Sequence, residues 1–240
     1  MQITDQKTIG EIVARDYRAA AVFTSYGIDF CCRGNRTLTE VCQGKDIKQD
    51  QLESKLNAAI STPVGDLPDF NSWPIDLLVD YVEKKHHRYI NEATPVIQQY
   101  LAKLCKVHGH NHPELFEITE EFAQSAVDLA AHMKKEENIL FPHVRKLAEA
   151  ASAKEHMDPP VFGTVRNPVR MMMDEHTHEG DRFAKIAELS DQFTAPADGC
   201  TTYRVAFAML KDFAADLHLH IHLENNIIFP ACVEMEEMTV

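Results

Sequence analysis

Two stretches of this chain pair a histidine with a glutamate four residues on, in nearly the same order of residues. They are His132-Met-Lys-Lys-Glu136-Glu-Asn-Ile-Leu-Phe-Pro142 and His220-Ile-His-Leu-Glu224-Asn-Asn-Ile-Ile-Phe-Pro230, both fitting H-x-x-x-E-[EN]-N-I-[LI]-F-P. Each is preceded by a histidine at a matched distance, His87 lying 45 residues before His132 and His176 lying 44 before His220. Residues four apart on a helix share a face, so each His and Glu project together. Both pairs fall on an apolar stripe that must turn to the core. There an unpartnered carboxylate carries a large desolvation penalty, and a neutral imidazole still needs polar partners. Two divalent cations remove the conflict: four imidazoles and two carboxylates make a two-metal site in which each glutamate bridges both ions. A single histidine on such a stripe reads as a hydrogen-bonded core residue; the duplication turns the reading to metal.

Mixed imidazole and carboxylate ligands suit iron, manganese or zinc, whereas copper(I) or an iron-sulfur cluster would call for thiolates. Six side chains for two ions leave room for water, an oxo bridge or a diatomic ligand. Spacing leaves one position open, because His86 fits the apolar stripe of its helix better while His87 sits about 100 degrees round it. His108, His110 and His112 lie in a polar stretch, and His143, His156, His178, His218 and His222 read as surface groups or neighbours of the ligands. Glu175, beside His176, is a candidate proton relay or outer partner of the centre.

Four long segments of helical periodicity must carry these residues, at about 74 to 106, 113 to 150, 165 to 192 and 200 to 236. Their connections are rich in Gly, Pro, Asp or His, and no alternating strand pattern occurs. The fold class is all-α, an up-down four-helix bundle. Residues 1–60 read as a small helical domain broken by Tyr26-Gly-Ile-Asp-Phe-Cys31-Cys32-Arg-Gly34. Residues 61–74, with three prolines, read as a linker, and 75–240 as the bundle.

A formal net charge of -13 disfavours nucleic acid or an anionic membrane as partner. No run approaches the roughly 20 apolar residues of a membrane span, and the start lacks the pattern of a signal peptide, so the expected location is cytoplasmic. Six cysteines in such a chain read as reduced thiols. Cys31 and Cys32 are adjacent, and the roughly 3.8 Å between neighbouring Cα atoms is too short for a relaxed disulfide. They read as thiols that relay iron, react with nitric oxide or link reversibly to another thiol, with Arg33 placed to favour a thiolate.

Taken together, the vicinal cysteines, His86-His87, the segment His132 to Pro142, Asp174-Glu175-His176 and Leu219-His220-Ile-His-Leu-Glu224-Asn-Asn resemble the Repair of Iron Centres family across nearly the whole chain. The resemblance implies a haemerythrin-like bundle and a non-haem di-iron centre, two iron ions held by His87, His132, Glu136, His176, His220 and Glu224 with both glutamates bridging. Aligning Pro95 with the family's proline selects His87 over His86. It also implies repair of iron-sulfur clusters after nitrosative or oxidative stress, by iron donation with help from Cys31 and Cys32, so that damaged iron-sulfur proteins are the expected partners. Reduction of nitric oxide at the centre, and sensing of nitric oxide or dioxygen, are the alternatives; whether two chains pair as a homodimer stays open.

Overall fold

The structure, a computed structural model, describes residues 7–61 and 68–240. Residues 62–67 of the linker expected at 61–74 fall outside the described residues, and of the rest Phe70–Ser72 forms a single 3-10 turn with Phe70 buried. No helix is long and apolar enough to cross a membrane among the described residues.

The amino-terminal unit holds four short helices, α1 (Ile9–Arg15), α2 (Arg18–Ser25), α3 (Leu38–Lys45) and α4 (Gln49–Ser61). Thr8 and Thr37 start α1 and α3 with capping boxes, each hydroxyl accepting from the amide three residues on, while Glu11 and Glu40 reach back. Ile9, Ile12, Val13, Phe23, Leu38, Leu52 and Leu56 are fully buried, so the unit closes around its own apolar faces.

The bundle is built from α5 (75–108), α6 (114–153), α7 (Arg166–Leu189) and α8 (201–239). Pro113 sits at the start of α6, where its missing N–H costs nothing, and α6 ends on Lys154 in the left-handed region, φ 55. Three of the four helices widen locally into π turns, at Val82–His87 in α5, Glu136–Leu140 in α6 and Glu224–Ile228 in α8. Helix α5 packs on α6 and α8, and α6 on α7.

Two apolar clusters fill the bundle. One includes Ile97, Leu101, Phe122, Phe183, Phe207 and Phe213 and is continuous with the core of the amino-terminal unit. The other gathers Phe70, Val79, Phe141, Val144, Met172 and Phe229. Between them along the bundle lies a layer of buried polar residues: His86, His87, His132, Glu136, His176, His220 and Glu224.

Candidate metal centre

The six residues implied as ligands meet in that layer, each no more than 3% exposed. Each His-x-x-x-Glu pair closes as helical spacing requires, with His132 Nε2 3.2 Å from Glu136 Oε1 and His220 Nε2 3.1 Å from Glu224 Oε1. The other oxygen of each glutamate turns to the other histidine of its own repeat: Glu136 Oε2 lies 3.3 Å from His87 Nε2, and Glu224 Oε2 3.2 Å from His176 Nε2. The donor atoms fall into two groups, His87, His220, Glu136 and Glu224 in one, His132, His176 and the same two glutamates in the other, with all ligand atoms of a group within 4.8 Å. Each carboxylate thus offers one oxygen to each side, the arrangement of a bridging ligand.

Outer contacts fix which nitrogen points inward. His87 Nδ1 lies 2.8 Å from Glu137 Oε1, His132 Nδ1 2.8 Å from Glu175 Oε2, and His176 Nδ1 2.8 Å from Asn225 Oδ1. The Asn225 amide is oriented by its own Nδ2, which donates to the Cys31 carbonyl at 3.1 Å. Carboxylate and amide oxygens only accept, so each Nδ1 carries a proton and Nε2 is the atom left to face the interior. The Nε2 atoms of His132 and His176 face each other at 3.0 Å, and that of His87 faces a carboxylate oxygen. His87 Nε2, both nitrogens of His220 and all four oxygens of Glu136 and Glu224 are buried without a hydrogen-bond partner among the described residues. Converging acceptors of this kind repel unless cations lie among them, and two buried carboxylates otherwise cost on the order of several kcal/mol each. The donor set therefore fits two divalent cations.

The electrostatics agree. Burial would lower the His132 imidazole, but Glu136 and then Glu175 outweigh it and raise it to about 10. Burial likewise opposes ionisation of Glu224, yet His220 and His176 hold it well below the usual carboxylate range. Positive charge is demanded at this layer, whether from protons or metal.

The π turn at Val82–His87 holds both first-helix alternatives. Both His86 and His87 are buried, because the widened turn carries two successive side chains inward. His87 enters the ligand layer; His86 bonds Asp216 Oδ2 at 2.9 Å instead. Glu175 is joined to His132 and to Lys135, and those contacts lower it to about 2 against the opposing effect of burial. Spacing gave no hint of Glu137, Asn225 or Asp216 as partners. The available signal was positional, since Glu137 and Asn225 directly follow the two repeated glutamates.

Cys31 and Cys32 lie against this layer from the amino-terminal unit. Their sulfurs are 3.7 Å apart as free thiols, both amides donate to Asp29 Oδ1, and Cys32 Sγ donates to the His176 carbonyl at 3.1 Å. Asp29, Cys31 and Cys32 form a third cluster of potential ligand atoms. The expectation for Arg33 fails. Its guanidinium goes to Asp181 at 2.8 Å, while the bond to Cys32 and then burial push the Cys31 thiol well up. Of the histidines set aside, His222 is buried with Nδ1 3.1 Å from Asn226 Nδ2, and His143 is buried too, whereas His156 and His178 are exposed.

Known proteins give a consistent frame. Residues 79–232 match the model of the hemerythrin HHE cation binding domain, and residues 5–60 match ScdA_N, a domain of unknown function (DUF542). The chain is 29% identical over 229 residues to the iron-sulfur cluster repair protein ScdA of Staphylococcus haemolyticus, covering 95% of this chain and 98% of that one. It is 29% identical over 234 residues to the iron-sulfur cluster repair protein YtfE of Musicola paradisiaca, covering 96% and 98%. Against YtfE of Escherichia coli O81 the identity is 28% over 228 residues, covering 95% and 97%.

Proposed function

The chain belongs to the hemerythrin HHE cation binding family, and from that premise we propose that it holds two non-haem iron ions and repairs damaged iron-sulfur clusters by donating iron. The two-part make-up, a vicinal-cysteine unit before the bundle, is that of the Repair of Iron Centres proteins, and the relatives named above are called iron-sulfur cluster repair proteins. One observation carries the reading: four inward-turned imidazole nitrogens and two glutamates that each split their oxygens between the two groups of ligand atoms. Iron(II) lies low in the affinity order of divalent metals at nitrogen and carboxylate ligands, which suits a store that must give its metal up.

His87, His132, His176 and His220 would bind through Nε2, with Glu136 and Glu224 across both ions. Glu137, Glu175 and Asn225 keep three of the rings turned inward. Iron is cargo here, the ion that a broken cluster lacks. Asp29, Cys31 and Cys32 offer a softer set of ligands beside the centre, suited to passing the ion outward to a client protein in the cytoplasm.

Metal analysis and Mössbauer spectroscopy test the centre: two irons per chain, antiferromagnetically coupled, are expected, and a chain that purifies with zinc and rejects iron would overturn the assignment. Donation is tested by adding the iron-loaded chain to a cluster enzyme damaged with nitric oxide. Activity should return, and more slowly with the Cys31→Ala, Cys32→Ala variant. Equal rates would remove the thiols from the path.

A further inference from the structure

The loops at one end of the bundle bring together a further set of metal-binding side chains, none of which the iron centre uses. His108 closes α5, and His112 follows in the turn before α6, its amide donating to the His108 carbonyl at 2.9 Å. Four residues apart across that turn, both rings come to lie against Tyr203, near-perpendicular to it with centroids 5.4 and 5.6 Å away. Tyr203 is 1% exposed, so the floor beneath the two rings is fixed. His108 lies 21 residues beyond His87 on the same helix, roughly 30 Å from the polar layer at about 1.5 Å per residue.

The loop before α8 supplies the partners. Cys200 Sγ lies 3.2 Å from His108 Nε2, while Asp198 Oδ1 and Oδ2 lie 3.0 and 3.2 Å from His112 Nε2. Two donors on one tetrahedral ion stand about 3.3 to 3.6 Å apart, given bonds of about 2.0 Å to nitrogen or oxygen and about 2.3 Å to sulfur. Each pair therefore already has close to the spacing of neighbouring ligands. His112 also has the outer support of a bound imidazole, its Nδ1 3.0 Å from Glu114 Oε1, an arrangement that leaves Nε2 to the ion. Between the two pairs a gap remains. The ring centroids of His108 and His112 are 6.4 Å apart, against about 5 Å for two imidazoles on one tetrahedral ion, and the four donor atoms do not all lie within 4.8 Å of one another. Cys200 and Asp198 are exposed, so rotation of their side chains and an approach of about 1 Å between the rings close the set.

We propose that His108, His112, Asp198 and Cys200 form a further metal site, for a borderline-soft divalent ion of zinc's class, apart from the iron centre. One thiolate, two imidazoles and one carboxylate complete a tetrahedron, the geometry that structural zinc takes. The thiolate also separates this site chemically from the bundle layer, whose imidazoles and carboxylates offer no sulfur. Bound there, the ion clips the turn between α5 and α6 to the loop between α7 and α8, joining residues 92 and 86 positions apart. The site does not depend on the repair reading, since none of its residues belongs to the iron centre.

The test adds cobalt(II), a coloured probe of tetrahedral zinc sites, to the full chain with its irons in place. One equivalent should bind with a thiolate-to-cobalt charge-transfer band, and zinc should then remove the band while the iron content stays constant. Cys200→Ser should abolish the band, and Glu114→Ala should weaken cobalt binding about 10- to 100-fold. In the unaltered chain, zinc should slow alkylation of Cys200 by iodoacetamide about tenfold or more, because the metal occupies the thiolate that would attack. A cobalt spectrum without the thiolate band, or one unchanged in Cys200→Ser, would reduce the site to adventitious binding by surface histidines and overturn the inference. Alkylation of Cys200 at the same rate with and without zinc would overturn it as well.

Discussion

Cys200 differs from the other cysteines because of what surrounds its sulfur. It is exposed, at the N-cap of α8, with His108 Nε2 3.2 Å from Sγ. The bond to His108, helped by the first-turn amides of Tyr203 and Thr202, brings the thiol down to about 7. His112 is engaged by Glu114 and Asp198, so Asp198 turns to that ring rather than to the sulfur. Since the thiolate is the nucleophile, alkylation of Cys200 should climb as pH rises through about 7 and level off above it, with His108→Gln moving the midpoint up toward the ordinary thiol value. Peptide mass spectrometry after iodoacetamide at graded pH checks this; an unmoved midpoint would discard the His108 effect. Cys232, pushed up to about 12 by burial, should stay unmodified across the same range.

Helix spans and the paired His-x-x-x-Glu motifs were legible in the sequence because apolar spacing near 3.6 residues fixes which side turns inward. The π turns were not, and they decide the details. Pro142 and Pro230 each stand two residues beyond a π turn, and a proline ring crowds the carbonyl four residues back, here that of Asn138 or Asn226 inside the turn. That conflict gives a physical reason for the ladder to widen there, and a Phe-Pro after the metal-binding glutamate is its trace. No such trace marks Val82–His87, which is why His86 and His87 could not be separated by spacing. Elsewhere the short helices announce themselves by their caps. Thr37→Ala removes one side of the box that starts α3 and should cost about 1 kcal/mol, read as a lower urea midpoint of the full chain. Glu40, held below its ordinary value first by the Thr37 amide, contributes stability above that ordinary value and loses it as pH falls through the folded one, so the cost of Thr37→Ala should shrink on the acid side. A cost that stayed constant down to acid pH would show that the carboxylate is not engaged.

Among the described residues the amino-terminal unit meets only one of the two repeats. The final asparagine of each repeat has a different occupation. Asn138 is exposed and donates to the Lys134 carbonyl of its own helix, whereas Asn226 reaches toward the carbonyls of Phe30 and Cys31, 3.5 Å from each. Two glycines admit it. Gly10 N donates to Gly34 O at 2.7 Å, and a Cβ on Gly10 would collide with the Asn226 side chain, while one on Gly34 would meet the Phe30 carbonyl, Asn226 Oδ1 and Gly10 Cα. Phe30 and Tyr17 complete the contact against the His222 ring, 5.8 and 5.9 Å between centroids. None of this could be read from composition or periodicity, because docking depends on close approach between residues 195 and 196 positions apart. Alanine suits the first turn of α1, so Gly10→Ala tests the approach without harming the helix. Overpacking of this kind costs about 1 to 3 kcal/mol, and each 1.4 kcal/mol multiplies the undocked population about tenfold. Alkylation of Cys31 and Cys32 in the iron-loaded chain should therefore quicken about tenfold while iron content holds at the level of the unaltered chain, because all six proposed ligands belong to the bundle. Unchanged alkylation would mean that Asn226 and the glycines do not govern docking, and a parallel loss of iron would mean that the bundle cannot keep its polar layer without the unit above it.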